Sequence, residues 1–201
     1  MTTPLKNLAI ALDASLSMRE PIIGVGRRIE VARKIVAKII EKAYYAMGPY
    51  RLHLYVFPPS YAADIIPVEK ITTRFITTRY VVDAIKANLE TIETRPTTPL
   101  FTALKTIVEE IPRKTPIIVV TDGTTITDMV KERIVREDIK KAIEEKELKL
   151  TLILLTLITP PKLLEFATTV NARIENLTPV TLQVETLLDE NITRIIQDIT
   201  R

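Results

Sequence analysis

Oxygen-bearing side chains gather at three places in this chain where they could act together. The string Asp13-Ala14-Ser15-Leu16-Ser17 alternates them, so that three side chains of one turn can point the same way. Thr98-Pro99-Leu100 stands near mid-sequence, and Thr121-Asp122-Gly123 follows an apolar run. Serine and threonine offer neutral, hard oxygens on short side chains, and such a set can complete a near-octahedral shell around Mg²⁺. There is no cysteine and a single histidine, His53. That excludes thiolate-held zinc, iron–sulfur clusters, disulfides and thiol nucleophiles, and leaves oxygen as the metal donor with His53 the sole nitrogen candidate. Taken singly, each piece is ordinary. Asp13 or Ser15 alone suits a turn or helix cap, and a D-x-S-x-S string arises by accident in roughly one chain in twenty of this length.

The elements around these residues decide whether they can meet. Leu8 to Leu12 is wholly apolar and stops at Asp13, and Pro116 to Thr121 holds four successive branched apolar residues before Asp122-Gly123. Both patterns fit strands covered on two faces in a parallel sheet. Ile29, Ala32, Ile35, Val36, Ile39, Ile40 and Ala43 recur at helical spacing, predicting a helix from Arg27 to Met47 that ends near Gly48-Pro49. A strand over Arg51 to Phe57, a short edge strand near Ala62 to Val68, and helices over Tyr80 to Ile92 and Pro99 to Ile111 are expected next. Then come a helix from about Thr127 to Glu145, a strand from Leu150 to Leu155, a helix from Pro161 to Val170, a weak strand near Ala172 to Leu177 and a helix from about Gln183 to Thr200. Gly24-Val25-Gly26 lacks the third glycine of a dinucleotide loop and is read as a turn. His53, inside an alternating strand, is read as a packed or surface imidazole.

This alternation predicts a three-layer α/β/α, doubly wound, Rossmann-like fold. Its six-stranded sheet is mostly parallel, with one antiparallel edge strand. Ligands of such sheets bind outside the carboxyl ends of strands where the strand order reverses. Asp13 and Asp122 each end a central-type strand, so two carboxylates should meet at one crevice.

Composition narrows the class. The chain has 201 residues, of which 46% are hydrophobic and 26% charged, with a net charge of +3. One globular domain over residues 1–201 is expected, with no low-complexity tract or repeat. Basic and acidic residues are interspersed, so a nucleic-acid face is unsupported. The stretch from Lys131 to Lys149 is expected to be a solvated helix face. The most apolar segment, Leu150 to Ile158, is about half the ~20 residues a membrane helix needs, and Met1 to Asn7 carries no export signal, so no membrane association and a cytoplasmic location are expected. Frequent isoleucine, 13 prolines, 4 glycines and the missing cysteine fit a heat-adapted, thermophilic protein.

In this order and at these positions, Asp13-x-Ser15-x-Ser17, Thr98-Pro99-Leu100 and Thr121-Asp122-Gly123 resemble the metal-ion-dependent adhesion site of von Willebrand factor type A (VWA) and integrin I-type domains. Arg51 to Phe57 matches the family's second strand, Thr98 to Leu104 its T-P-L-x-x-A-L helix start, and Leu163 to Leu177 its penultimate helix and last strand, so the resemblance covers essentially the whole chain. It implies that Ser15, Ser17 and Thr98 touch one Mg²⁺ (or Mn²⁺ or Ca²⁺), while Asp13 and Asp122 act largely through waters and hydrogen bonds that orient the hydroxyls. Thr97 is the alternative third hydroxyl. Few direct carboxylates would leave the ion able to accept an aspartate or glutamate from a partner protein.

The sequence departs from that pattern at Arg95-Pro96-Thr97, where glycines are common. This stiffens the loop and adds a positive charge near the metal. Arg19, Glu20, Arg95 and Thr125 are expected to line the rim of the binding face. The function expected is therefore a metal-dependent protein-binding module and not an enzyme, acting as an intracellular adaptor or complex subunit, with oligomerisation possible. The alternatives are a scaffold subunit of an assembly with a vestigial metal site, and a Mg²⁺-dependent phosphoryl-transfer enzyme. A dehalogenase-type phosphatase would want an aspartate where Ser15 stands, and a receiver domain adjacent acids before Asp13; no phosphate-cradling loop or placed general base is evident either.

Overall fold

The structure is a computed structural model that describes residues 6–60, 68–96, 100–124 and 129–200. Strand β1 (Lys6–Asp13) leads through a 3₁₀ turn (Leu16–Arg19) and a small hairpin, β2 (Pro21–Ile22) and β3 (Gly26–Arg27), into helix α1 (Arg28–Met47). Next follow β4 (Tyr50–Phe57), β5 (Glu69–Ile76), α2 (Arg79–Leu89), α3 (Leu100–Glu110), β6 (Pro116–Thr121) and α4 (Met129–Lys146). The chain continues through β7 (Lys149–Leu154), α5 (Pro161–Thr169), β8 (Arg173–Asn176), α6 (Pro179–Gln183) and α7 (Glu185–Thr200).

The main sheet has six strands in the order β5-β4-β1-β6-β7-β8, all pairs parallel except β4 with β5. This is the mixed, doubly wound sheet expected. The order runs outward from β1 to β5 and then restarts at β6 on the other side of β1, so the reversal lies between β1 and β6.

Alternation along β1 shows why the sheet needs helices on both faces. Leu8, Ile10 and Leu12 belong to a core shared with residues of α1, α2 and α7, whereas Ala9 and Ala11 face a second core built with residues of α3, α4 and α5. All five are fully buried. Helix α1 packs its Ile29, Ala32, Ile35, Val36, Ile39, Ile40 and Ala43 stripe inward, as its periodicity predicts. Its ends follow from local chemistry: Glu30 Oε2 accepts the Arg27 main-chain N–H at 3.2 Å, and Gly48 takes φ 69° to cap the carboxyl end.

Two expectations need correction. The antiparallel edge strand that pairs with β4 is β5, residues 69–76; of the range 62–68 where it was expected, 62–67 lie outside the described residues and Val68 lies just before the strand. The sequence Glu-Lys-Ile-Thr-Thr-Arg-Phe-Ile buries little, because an edge strand needs no apolar face and is protected by charge. Its β-branched density was the legible signal. The last helix is also not continuous from 183 to 200. Val184 is extended between α6 and α7, and α6 opens with Pro179 at its first position, with Thr178 Oγ1 accepting the Thr181 N–H at 3.3 Å. Gly24-Val25 forms the turn of the β2–β3 hairpin, as expected.

Candidate metal and partner-binding site

Because β1 and β6 are parallel neighbours, with Leu12 paired to Val120, their carboxyl ends bring Asp13 and Asp122 to one place. Asp13 is fully buried and both its oxygens are in use. Oδ1 accepts the Ser15 N–H at 2.8 Å, and Oδ2 accepts the Thr121 hydroxyl at 2.6 Å. Thr121 Oγ1 accepts in turn from the Gly123 N–H at 2.9 Å. The carboxylate thus clamps the turn after β1 to the end of β6. Burial, assisted by the nearby Asp122 charge, pushes the Asp13 carboxyl up to about 7 although the hydrogen bonds from Ser15 and Thr121 oppose this.

Ser15 and Ser17 converge, their hydroxyl oxygens 3.1 Å apart. Adjacent ligands of an octahedral Mg²⁺, bound at about 2.0–2.1 Å, stand about 2.9 Å from one another, so this spacing suits two neighbouring positions of one shell. The turn is pinned from both sides: the Ala14 N–H donates to Phe57 O and the Arg95 N–H donates to Ala14 O, each at 2.7 Å. Thr97, Thr98 and Thr125 lie outside the described residues. Four of the five expected metal-site residues are therefore described and found together. Among the described residues, no group of three or more histidine, aspartate or glutamate side chains is gathered to hold a metal, so a cation here would depend on the serine hydroxyls.

Asp122 is almost fully buried. Its Oδ1 accepts the Thr124 N–H at 2.9 Å, and its Oδ2 accepts from Arg28 Nη1 at 3.2 Å. Arg28 also donates to Glu20 Oε2 at 2.8 Å and to Ser17 O at 3.3 Å. No motif or spacing in the sequence marks this arginine as part of the site. It opens α1, and α1 enters directly above the sheet reversal, but only the path of the intervening hairpin brings it back to Asp122.

The rim residues differ from expectation in one respect. Arg95 Nη1 is held by Glu69 Oε2 at 2.9 Å and Pro58 O at 3.0 Å, so its charge is met by Glu69. Burial tends to raise the Glu69 carboxyl, but hydrogen bonds from Ser60 and Arg95 outweigh it and hold the group below the usual range. Arg19 donates to Thr94 Oγ1 at 2.6 Å. His53 is buried inside β4 with Nε2 3.2 Å from Asn7 Oδ1, a packed imidazole as expected.

Gly123 turns the chain away from β6 at φ 78°, and a Cβ there would come within 3.1 Å of Leu163 Cδ2 and 3.2 Å of the Pro160 ring. Gly123→Ala should therefore cost about 1–3 kcal/mol through backbone strain and crowding. Urea unfolding checks this; an unchanged midpoint would contradict it.

No family model and no curated protein sequence matches the chain. Solved structures do, and they define the class as a VWA-type fold. A von Willebrand factor type A protein from Catenulispora acidiphila superposes with TM-score 0.66 at 14% identity, covering 97% of this chain and 43% of that one. The pilus adhesin SpaC from Lactobacillus rhamnosus GG gives 0.66 at 14%, covering 98% and 30%. Proximal thread matrix protein 1 from the mussel byssus gives 0.63 at 15%, covering 98% and 48%. The chain spans less than half the length of each, and at these identities the likeness is one of fold.

Proposed function

We propose that residues 1–201 form a single VWA-type domain that binds another protein through the carboxyl-end rim of its sheet. The observation that carries this is the meeting of Asp13, Ser15, Ser17 and Asp122 at the β1/β6 reversal. Both carboxylates are committed to orienting hydrogen bonds, which favours holding a ligand over chemistry upon it. Beside them lies a cavity of about 310 Å³, lined chiefly by Pro21, Ile22, Ile23, Leu155, Leu157 and Pro179, with Arg28 at its wall. Ile23, Leu157 and Ile158 on this rim are more than two-thirds exposed, an apolar surface of the sort that partner proteins cover.

Ser15 and Ser17 suit a hard cation such as Mg²⁺ or Mn²⁺, which Asp13 and Asp122 would help to orient; Thr98, the third hydroxyl that the resemblance implies, lies outside the described residues. Such an ion would supply a coordination position for a carboxylate of the partner. Calorimetric titration with Mg²⁺ is the test. Saturable uptake by the native chain that is lost in Ser15→Ala/Ser17→Ala, with the melting curve retained, is the expected result; equal uptake by both proteins would refute the assignment.

The Arg28–Asp122 contact favours a second reading. If the guanidinium holds Asp122 permanently, the domain is a subunit of an assembly whose metal site is vestigial. The structural neighbours include an adhesin and a thread matrix protein, which is compatible with such a role. Partner or self-association that persists in chelator would select this reading.

Among the described residues, no helix is long and apolar enough to cross a membrane, and a cytoplasmic location remains part of the proposal. Heat adaptation does too. Lys38 bridges Glu185 and Asp189, and Lys42 adds a second contact to Asp189, so a charge network fastens α1 to α7. Such networks gain value with temperature. A melting midpoint well above the mesophilic range of about 45–65 °C is expected by differential scanning calorimetry.

A further inference from the structure

The candidate cation site already holds a positive charge belonging to the chain itself. Nη1 of Arg28 lies 3.2 Å from Asp122 Oδ2, 2.8 Å from Glu20 Oε2 and 3.3 Å from Ser17 O, so three acceptors meet at one nitrogen. Two of them belong to residues of the proposed site. The Asp122 side chain is 2% exposed and that of Arg28 21%, so the pair is largely shielded from water and interacts more strongly than a surface pair would. Nε of Arg28 is buried without a hydrogen-bond partner. Leaving that donor unmet opposes the placement, and the two carboxylates are what offset it. Glu20, whose side chain is 65% exposed, offers the guanidinium a place outside the crevice.

We propose that Arg28 is a built-in counter-cation that holds Asp122 when no metal is bound and competes with a divalent cation for it, so that metal uptake requires the guanidinium to withdraw towards Glu20. The proposal rests on the cation reading given above and adds its regulation. The buried Asp122 carboxylate needs a compensating positive charge, and a guanidinium beside a divalent ion repels it. One arginine therefore stabilises the metal-free rim and weakens the site's hold on metal. The chain carries this device in the first residue of α1, whose guanidinium touches both the buried Asp122 and the exposed Glu20.

The test uses the full chain. Uptake of Mg²⁺ and of Mn²⁺ is measured by calorimetry on the native protein, Arg28→Gln and the charge-keeping Arg28→Lys. Arg28→Gln should bind either ion at least about tenfold more tightly, and Arg28→Lys should stay near the native value. Unfolding in chelator is measured on the native protein, Arg28→Gln, Asp122→Asn and the double variant. Arg28→Gln should lower the midpoint of the native protein but have little effect when Asp122 is already asparagine. Unchanged or weaker ion binding by Arg28→Gln overturns the competition, and additive unfolding effects overturn the pairing with Asp122. No uptake by either the native protein or Arg28→Gln defeats the cation reading, and the competition with it, while the unfolding cycle still reports on the pairing by itself.

Discussion

Without added metal, the native protein should lose stability relative to Asp13→Asn as the pH is raised from 5 to 8. Burial lifts the Asp13 carboxyl from 3.8 to about 7 in the folded protein. A carboxyl raised in this way favours the folded state when protonated. Its contribution is complete below the unfolded value near 3.8 and is lost as the pH climbs through about 7. The full span is about 4 kcal/mol, of which roughly 3 kcal/mol falls between pH 5 and pH 8. Asparagine keeps the shape and cannot ionise. In a chain of this size the difference amounts to about 5–10 °C in melting midpoint, with the variant gaining on the native protein as the pH rises. Depressed carboxyls such as Glu69 and Asp189 act in the opposite sense. For that reason the quantity to follow is the difference between the two proteins, in which those contributions cancel. Saturating Mg²⁺ at pH 8 should stabilise the native protein and leave Asp13→Asn nearly unaffected. Parallel pH profiles of the two proteins in chelator would refute the burial argument, and equal Mg²⁺ responses would refute the cation assignment.

Phe101→Ala should cost about 3–5 kcal/mol, the range for removing a buried aromatic side chain. Phe101 is fully buried in the first turn of α3. Its ring meets Phe166 of α5 edge-on, with centroids 5.0 Å apart at 72°, and the Arg136 guanidinium lies 4.5 Å above its face. Three helices thus share one ring. Arg136 is also paired with the buried Glu132 and lies 3.8 Å from Glu165, and its Nε has no hydrogen-bond partner, so removing the ring takes a favourable face from a guanidinium that these carboxylates hold in place. Phe101→Leu retains most of the apolar volume and should cost less than half as much. Chemical unfolding of the three proteins measures the series. A loss below about 1 kcal/mol for alanine would show that the α3–α4–α5 core closes over the gap.

Much of this architecture was legible because the main signals are periodic. A run such as Leu8 to Leu12 can only be satisfied by cover on both faces, and the stripe from Ile29 to Ala43 leaves helix α1 one way to turn. The edge strand was misplaced because residues 69–76 have a single strand neighbour and bury little, so no burial alternation marks them and only their β-branched density sets them apart from a loop. The break at Val184 was missed because the residues on either side are both compatible with helix, although Val184 itself is extended.

The site divides in the same way. That Asp13, Ser15 and Ser17 share one turn, and that Asp122 ends another buried strand, follows from spacing and alternation, which are local properties. That the two strands are adjacent is set by the sheet order, to which residues far apart in sequence contribute through burial. Arg28 lies beyond any local rule. It looks like the first exposed residue of a helix, and only the way the hairpin folds back gives it Asp122 as a partner. Charges act through space, whereas sequence patterns record only neighbours along the chain. The oxygens that stand at this rim were therefore determined by the sequence alone, and the positive charge set beside them was decided by tertiary structure.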